Sequence, residues 1–516
     1  MNFGKLTKKF VLFVFLFFSF FLLETGIRFK EAIISGKKLF YDVVDNQPKN
    51  FEKNYSLWTK NLLLFKKRIL GIDKFTKNYL DKKYQLKKHL DLIEKVTLVL
   101  PDIFAKDGEK IYYVLLQNNM ELRPSGGFMG SYAKMKFKDG GLNDVFVQDI
   151  YVPDGQIIGH VDPPLPIQEA FKQGWWKLRD ANWDPDFPTA AKIIDWFFQK
   201  GNEEKADGII AINLTTVKKV LKVIGPLFLV DYNQTVDSES FYQIIQSHSE
   251  IGFFPGSTQK KDILTAVDRA FFEKIKNLKQ KETLKILQIA YQDLEERQIL
   301  VSFFDNYLAK TFQKFGWDGS MKKLEPSTEA LINDYFYLVE ANLGANKANC
   351  CIERKISHEV DFSQFGLIKE KVKINFKNTG KYKEGIPPFF WGGTYNNYLR
   401  FYFPDVAKVG KVFIESEEVK PAKILAERKE DLGLQGIGFF VQVPAQSQKT
   451  VEINYEIPRQ NFSQIEKLVY KLTIQKQPGI DFFPYYFKST KNNWYYEFKE
   501  NIRKDKEIIF EVGYNK

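Results

Sequence analysis

The chain has 516 residues, 44% hydrophobic and 16% aromatic, enough apolar mass for two or three cored domains, which excludes a largely disordered protein. Its formal net charge is +12, and the excess is local: between Lys60 and Lys95 eleven Lys or Arg stand against four Asp or Glu, a surplus of +7. That stretch is either the solvated face of helices or a surface for lipid head groups, polyanionic polymers or nucleic acid.

The N-terminus is positive through Lys5, Lys8 and Lys9, and Phe10 to Leu23 is apolar except for Ser19. Fourteen such residues make roughly 21 Å of helix, against a hydrocarbon core of ~30 Å. The length suits a signal-peptide core, but no Ala-x-Ala-like site follows it. The expectation is therefore an uncleaved signal anchor extended through Thr25 to Ile27, with the lysines inside and the rest of the chain extracytoplasmic. That topology leaves nucleic acid out as a partner.

From Glu31 to Val96 the pattern is helical. Leu62, Phe65, Ile69, Ile72, Phe75, Tyr79, Leu86, Leu90 and Ile93 recur at mostly three- and four-residue steps, one apolar stripe under a lysine-rich surface. This predicts a helical stalk; the alternative is a basic helix lying on the membrane or on an anionic envelope polymer.

After Pro101 strands begin. Lys110–Gln117 is a near-continuous apolar run, Ser131–Lys138 alternates, and Asp139-Gly140-Gly141 turns the chain back into Leu142–Tyr151. Between the first two lies NNMELRPSGGFMGSY, Asn118 to Tyr132, read as a loop that carries Arg123 beside a proline and two glycines. A long Pro- and Trp-rich loop spans Val152 to Phe187. A helix over Pro188–Lys200, a strand over Asp207–Asn213, a helix over Thr215–Ile224 stopped by Gly225-Pro226, and a strand over Leu227–Val230 give an α/β core. Further helices follow near Ser238–His248, Ile263–Lys279, Glu282–Arg297 and Asn306–Phe315. From Tyr335 onward VKINFKN, YLRFYFP, GFFVQVP and TVEINYEIP read as sandwich strands, with a boundary near Asn342–Lys347. The expected organisation is a basic tail and anchor over 1–30, a helical stalk over 31–100, an α/β ligand-binding domain over 101–342 and an all-β sandwich over 343–516.

Two cysteines, Cys350 and Cys351, are adjacent, and neighbours cannot form an ordinary unstrained bridge. In a strand they would point to opposite faces. The four histidines show neither HxxxH nor Cys/His ligand spacing, so the inventory predicts neither a zinc site nor a Ser-His-Asp triad.

Unusual residues concentrate in two places: the Arg123 loop, and Arg179–Pro188 (RDANWDPDFP), where Asp180, Asp184 and Asp186 accompany Arg179 and Trp183 before a helix start. If Arg123 and Arg179 converge, their planar guanidinium groups would hold a pyrophosphate-like group, helped by helix N–H groups. Asn118, Gly126 and Gly127 would line the ligand, Trp183 would wall an apolar or sugar part, and Asp180 or Asp184 would hold a metal ion. The other reading has Asp180 and Asp186 capping turns and the helix, Arg179 pairing locally, and the glycines serving close packing. Gly126-Gly127 lacks the spacing of a nucleotide-binding Walker loop.

The strings LLQNNMELRPSGGFMGSY and RDANWDPDFPTAA, with ADGIIAIN, VIGP and EANLGANK after them, resemble the bacterial family catalogued as domain of unknown function 4012, from roughly Ile111 into the C-terminal β region. The resemblance implies a membrane-anchored extracytoplasmic protein of the envelope, without an activity. A more distant resemblance is to the LytR-CpsA-Psr family, which transfers glycopolymers from polyprenyl-pyrophosphate carriers to the cell wall. The shared order is a strand, an arginine-bearing loop, a hairpin, and a strand before a helix ending in Gly (GIIAINLTTVKKVLKVIGP). It implies a mixed sheet with flanking helices, Arg123 as the first of the arginines that grip the pyrophosphate, and magnesium as cofactor; Arg179 would be the second phosphate clamp on the convergence argued above. Where that family has Arg-Ser-Asp after the strand, this chain has Pro-Ser-Gly-Gly-Phe, so the metal ligand would have to come from Asp180 or Asp184. The expected function is binding, and at most transfer, of a phosphorylated lipid or glycopolymer by a glycopolymer phosphotransferase-like domain. The alternative is a non-enzymatic envelope scaffold or adhesion protein that uses the sandwich and the basic stalk.

Overall fold

The computed structural model describes residues 3–250, 259–364, 366–381, 392–458, 467–491 and 494–513, and over 3–23 the course of the helix alone. The expected anchor, Phe10–Leu23, falls in that stretch and so lies outside the described side chains; among the described residues no helix is long and apolar enough to cross a membrane. The chain divides into two compact units. One is Met1–Tyr112 with Lys134–Phe146 and Asp305–Leu308; the other is Tyr113–Ala133, Val147–Phe304 and Ala309–Lys516.

The first unit is built on helices α1 (Phe3–Val44), α2 (Pro48–Phe75), α3 (Tyr79–Tyr84) and α4 (Leu86–Ile103). Leu62, Ile72 and Leu90 of the apolar stripe are buried, but Phe75, Tyr79 and Ile93 are exposed, because the helix is not continuous. Asn78 and Gln85 take left-handed backbone, and the buried Asp73 carboxylate accepts from the Leu80 and Asp81 N–H groups at 2.7 and 3.1 Å, starting a new helix. Lys66 bonds Asp91 and Glu94 across to α4. Lys82, Lys83, Lys87 and Lys88 remain exposed.

Five strands form the mixed sheet in the order β3-β2-β1-β4-β7: β1 (Glu109–Arg123), β2 (Gly126–Lys138), β3 (Gly141–Asp149), β4 (Gly208–Asn213) and β7 (Ile299–Phe303). Helices α5 (Tyr151–Gln156) and α6 (Leu165–Phe171) lie in the long connection, then α7 (Phe187–Lys200) and, after β4, α8 (Leu214–Ile224). The expected strand at Leu227 is real but short. As β5 (Leu227–Leu229) it pairs only with β6 (Gln234–Val236), so it extends no parallel sheet. Helices α9 (Phe241–Glu250), α10 (Gln259–Lys276), α11 (Gln280–Glu295) and α12 (Asn306–Phe315) follow. Two features differ from the sequence reading. Arg123 ends a strand instead of sitting in a loop, because Pro124-Ser125 is a two-residue turn and pairing resumes at Gly126. The run ILVSF, too short to show a period among helices, is strand β7, antiparallel to β4.

The β-rich C-terminal part begins at β8 (Leu331–Asn342), a strand before the expected boundary. Next come β9 (Ile352–Asp361), β10 (Leu367–Asn378), β11 (Tyr395–Pro404), β12 (Lys408–Ile414), β13 (Glu417–Glu418), β14 (Leu425–Lys429), β15 (Leu434–Val443) and β16 (Ser447–Pro458). The last four are β17 (Lys467–Gln475), β18 (Phe483–Lys491), β19 (Trp494–Ile502) and β20 (Lys506–Gly513). A seven-stranded sheet, β13-β12-β16-β10-β9-β18-β19, and a six-stranded sheet, β14-β15-β11-β8-β17-β20, share one core. Alternation sets it. Val372 and Ile374 stand opposite Ile453 and Val451 and face in with Leu399, Phe401, Ile437 and Leu472, while the intervening Lys369, Lys373, Asn375 and Lys377 face water. Two pairings are parallel, β17 with β8 and β18 with β9.

Cys350 and Cys351 do not lie in a strand. They close the 3-10 turn Ala348–Cys351 and are bonded to each other, so both sulfurs are on one side of the turn.

Candidate functional site

The hairpin built by β1 and β2 is the natural start, because every expected ligand residue except those of the Arg179 loop lies in it. Gln117 and Asn119 alternate inward and are buried. The Asn118 side chain donates to the Tyr242 hydroxyl at 2.9 Å and accepts from the Met120 N–H at 3.1 Å, so it is tied down locally. Gly126 holds φ +129, and the two glycines admit no side chain. A Cβ on Gly126 would fall 2.0 Å from Gln117 Oε1, and one on Gly127 would fall 2.2 Å from the Asn118 carbonyl carbon. Backbone cannot swing aside as a lysine tip can, so Gly127→Ala is expected to destabilise by about 3 kcal/mol, the upper end of overpacking costs. Gly71→Ala, with open space around the new methyl in a helix, is the control and is expected to gain roughly 0.5–1 kcal/mol. Thermal melting of both variants checks this pair.

Arg123 and Arg179 are brought together, but around a carboxylate. The Arg123 side chain is 3% exposed; its Nη2 and Nε lie 3.2 and 3.4 Å from Asp180 Oδ1, and its Nη1 donates to the Asn342 carbonyl at 2.7 Å. Phe128 and Phe171 pack on the guanidinium at 5.3 and 6.0 Å. Arg179 donates from Nη1 to Asp154 Oδ2 at 2.8 Å, and its Nε lies 3.8 Å from Asp180 Oδ2. Tyr151 lies under it at 5.0 Å. Burial pushes the Asp154 carboxyl up, against the pull of Arg179 and of the Leu178 N–H that donates to it. The result is a four-membered chain, Arg123–Asp180–Arg179–Asp154, in which the guanidinium groups neutralise internal acids.

The remaining expected residues are likewise engaged. Trp183 stacks with Tyr398 at 5.6 Å and lies 4.6 Å under Arg400, which also donates to its carbonyl. Asp184 accepts from Lys429 at 2.9 Å and from the Asp186 N–H at 2.9 Å. Asp186 caps α7 through the Thr189 N–H and hydroxyl, as the capping reading expects. Neither Asp180 nor Asp184 belongs to the one three-residue group among the described residues that could hold a metal ion; that group is Asp334, His358 and Glu370 in the sandwich.

The space beside the hairpin turn is filled by residues that sequence reasoning missed, the connection from β17 to β18. Gln477 Nε2 donates to the carbonyls of Arg123 and Glu340 at 3.0 and 2.7 Å. Gly479 (φ +81) packs on Gly126 so closely that a Cβ would fall 3.0 Å from its backbone. Asn119 donates to the Gly479 carbonyl, Gln298 to that of Ile480, and Thr215 in the first turn of α8 to Asp481. The sandwich thus supplies a carboxylate to the first turn of α8. The joint continues through Lys476, whose Nζ donates to the Glu296 and Gln477 carbonyls, and through Arg297, which bonds Asp505 at 2.8 Å. Five buried amides around it, those of Gln117, Asn119, Asn182, Asn213 and Gln298, each keep one atom with no protein partner, a polarity suited to enclosed water. The only clue in the sequence was the turn signal Gln-Pro-Gly, which says nothing of a partner some 350 residues away.

On the sandwich itself an open groove of about 1220 Å³ is bordered by Glu325, Glu329, Asp405, Glu430 and Asp431 against the single Lys323. It is an acidic surface on a chain of net charge +12.

Residues 107–249 match the model of a family described as "Protein of unknown function (DUF4012)". The match spans the hairpin, the Arg179 loop and β4–α8, and supports membership of that family over this segment. No curated protein matches the sequence significantly. Among solved structures the chain is similar to a protein described as a candidate nutrient binding protein from Legionella pneumophila, at 9% identity and TM-score 0.20, over 31% of this chain and 66% of that one, just under two thirds of its length. It is also similar to the Lin1025 protein of Listeria innocua, at 12% identity and TM-score 0.24, over 42% of this chain and 84% of that one. A third is a candidate protease from Parabacteroides distasonis, at 8% identity and TM-score 0.15, over 32% and 35%. At TM-scores below 0.5 these likenesses establish no shared fold and bring no function.

Proposed function

We propose that the protein is a non-enzymatic scaffold of the cell envelope, anchored by its N-terminal segment and extracytoplasmic for the rest, in which the mixed-sheet segment serves as a rigid base for the sandwich. The observation that carries this reading is the state of Arg123. A phosphate clamp needs an accessible guanidinium, whereas this one is enclosed, paired with Asp180 and bonded to the Asn342 carbonyl at the end of β8. The loop from Gln477 to Asp481 takes the place beside it that a carrier-lipid head group would need. The base then fixes the sandwich, and the surfaces left for partners are the acidic groove and the exposed lysines of α3 and α4. The membrane and an anionic wall polymer are the partners the lysines suit; the LytR-CpsA-Psr-like fold, a transferase activity and magnesium gain no support from this arrangement.

Lipids extracted from the purified full chain are expected to contain no polyprenyl phosphate or pyrophosphate by mass spectrometry. Cosedimentation with an anionic envelope polymer is expected to weaken as salt rises and to be lost when Lys82, Lys83, Lys87 and Lys88 are replaced by glutamate. A stoichiometric carrier lipid, retained by the native protein and lost from an Arg179→Ala variant with unchanged melting temperature, would defeat the scaffold reading and restore the transferase.

A further inference from the structure

The sandwich core holds a polar cluster that the scaffold reading does not use. Asp334 comes from β8 in the six-stranded sheet, His358 and Glu370 from β9 and β10 in the seven-stranded sheet, and all three are buried. One ligand atom from each lies within 4.8 Å of the other two, and His358 Nε2 is 2.7 Å from Glu370 Oε2. The Tyr470 hydroxyl lies 2.5 Å from Asp334 Oδ2 and 3.2 Å from Glu370 Oε1, with one proton to donate between them, while the Tyr455 hydroxyl lies 3.4 Å from Asp334 Oδ2. Phe336 and Phe487 pack against the imidazole at 5.8 and 5.5 Å.

Two carboxylates share this apolar enclosure, and among the described residues neither forms an ion pair with a lysine or arginine; His358 is the only basic side chain within reach. Burying two acids without a cation is expensive, and a divalent ion between them removes both the repulsion and the unmet charge. The donor set, one imidazole nitrogen and two carboxylate oxygens beside a phenol, is of the mixed N/O kind that zinc and its neighbours take. The far side of the imidazole fits as well. With Nε2 on an ion, Nδ1 carries the proton, and the Tyr485 hydroxyl lies 2.6 Å from Nδ1 to accept it, the outer bond that orients a metal-ligating histidine.

We propose that Asp334, His358 and Glu370 form a structural site for a divalent metal of the zinc class, with the Tyr470 hydroxyl at the fourth position, joining the two sheets at their core. Spacing rules missed it because the ligands sit on three strands at positions 334, 358 and 370, with no short repeat between them. The site is enclosed, so the ion enters during folding and does no chemistry on a substrate.

The test uses the full chain expressed with added zinc and purified without chelator. Metal analysis by plasma mass spectrometry is expected to find about one zinc per chain, and exhaustive chelation to lower the melting temperature, restored by zinc or cobalt. Glu370→Gln and Asp334→Asn, which keep the shape of the side chain, are expected to lose at least tenfold in zinc affinity, no less than the loss usual for mutating the outer partners of a metal site. Because the chelation experiment needs no variant, it stands even if both substitutions prevent folding. Chains that emerge metal-free from zinc-supplemented cells, with a melting temperature indifferent to chelator, zinc and cobalt, would overturn the proposal and leave the cluster as a hydrogen-bonded core network.

Discussion

Asp180→Ala is expected to cost about 3–5 kcal/mol of unfolding free energy, the penalty for leaving a buried charge without its partner. The carboxylate is buried and held by Arg123 on one oxygen and Arg179 on the other, and Arg123 has no water to turn to when that partner is removed. Arg179 is less affected, since it keeps Asp154. Exposed pairs such as Lys411–Glu418 are the contrast, worth at most about 1 kcal/mol. Replacing both partners with apolar groups of similar volume, Arg123→Met with Asp180→Leu, should recover most of the loss, because the cost lies in the orphaned charge and not in the absent bridge. Tryptophan fluorescence is a suitable reporter: Trp176 donates to the Asp180 carbonyl, so it reads melting at this joint. An Asp180→Ala protein as stable as the parent would mean that Arg123 is not a structural group, and the clamp reading would regain its force.

That experiment also marks how far the residues could be read alone. Local chemistry was legible wherever it was local in space. Asp186 caps α7 from the sequence position where a cap was expected, and Gly225, at φ +78, ends α8. The four quoted β strings fall on β10, β11, β15 and β16, with GFFVQVP running one residue past Val443; in β10 and β16 one buried face imposes a two-residue period. The glycines of the hairpin obey the close-packing reading. What the residues alone do not show has a common physical cause, namely partners far apart in sequence. The partners of Arg123 are of this kind: Asp180 lies 57 positions away and the Asn342 carbonyl 219. β8, read as β only from Tyr335, alternates little because it is buried on both faces between β11 and β17. The stripe of α2 to α4 ran past its turn because a three-residue interruption preserves the helical step.

Stability should rise with pH between about pH 7.5 and 9.5, and Lys476 is the reason. Its ammonium group is completely enclosed at the joint between β17 and the mixed-sheet segment, and burial pushes it down to about 7, with Arg297 adding to the depression and Asp481, Glu296 and Asp505 opposing it. Its Nζ has two carbonyl acceptors, those of Glu296 and Gln477, which match the two N–H bonds of a neutral amine. In the unfolded chain the same group titrates near pH 10.4. Between those values the unfolded state binds a proton that the folded state does not, so each rise in pH favours folding by about 1.4 kcal/mol per unit. Below about pH 7 the lysine is charged in both states, its full burial cost of roughly 4–5 kcal/mol is present, and the slope disappears. Chemical denaturation at intervals across the window should therefore show a gain on the order of 2–3 kcal/mol in the parent protein. The gain should vanish in Lys476→Met, whatever that variant loses in hydrogen bonds to the two carbonyls. No free thiol is present to imitate it, and the buried tyrosines, whose hydroxyls burial pushes up, act only at higher pH. A parent curve no steeper than that of Lys476→Met would mean that Lys476 stays charged in the folded protein, stabilised by Asp481, Glu296 and Asp505, and the joint would then be an ion network that depends on those acids more than on exclusion of water.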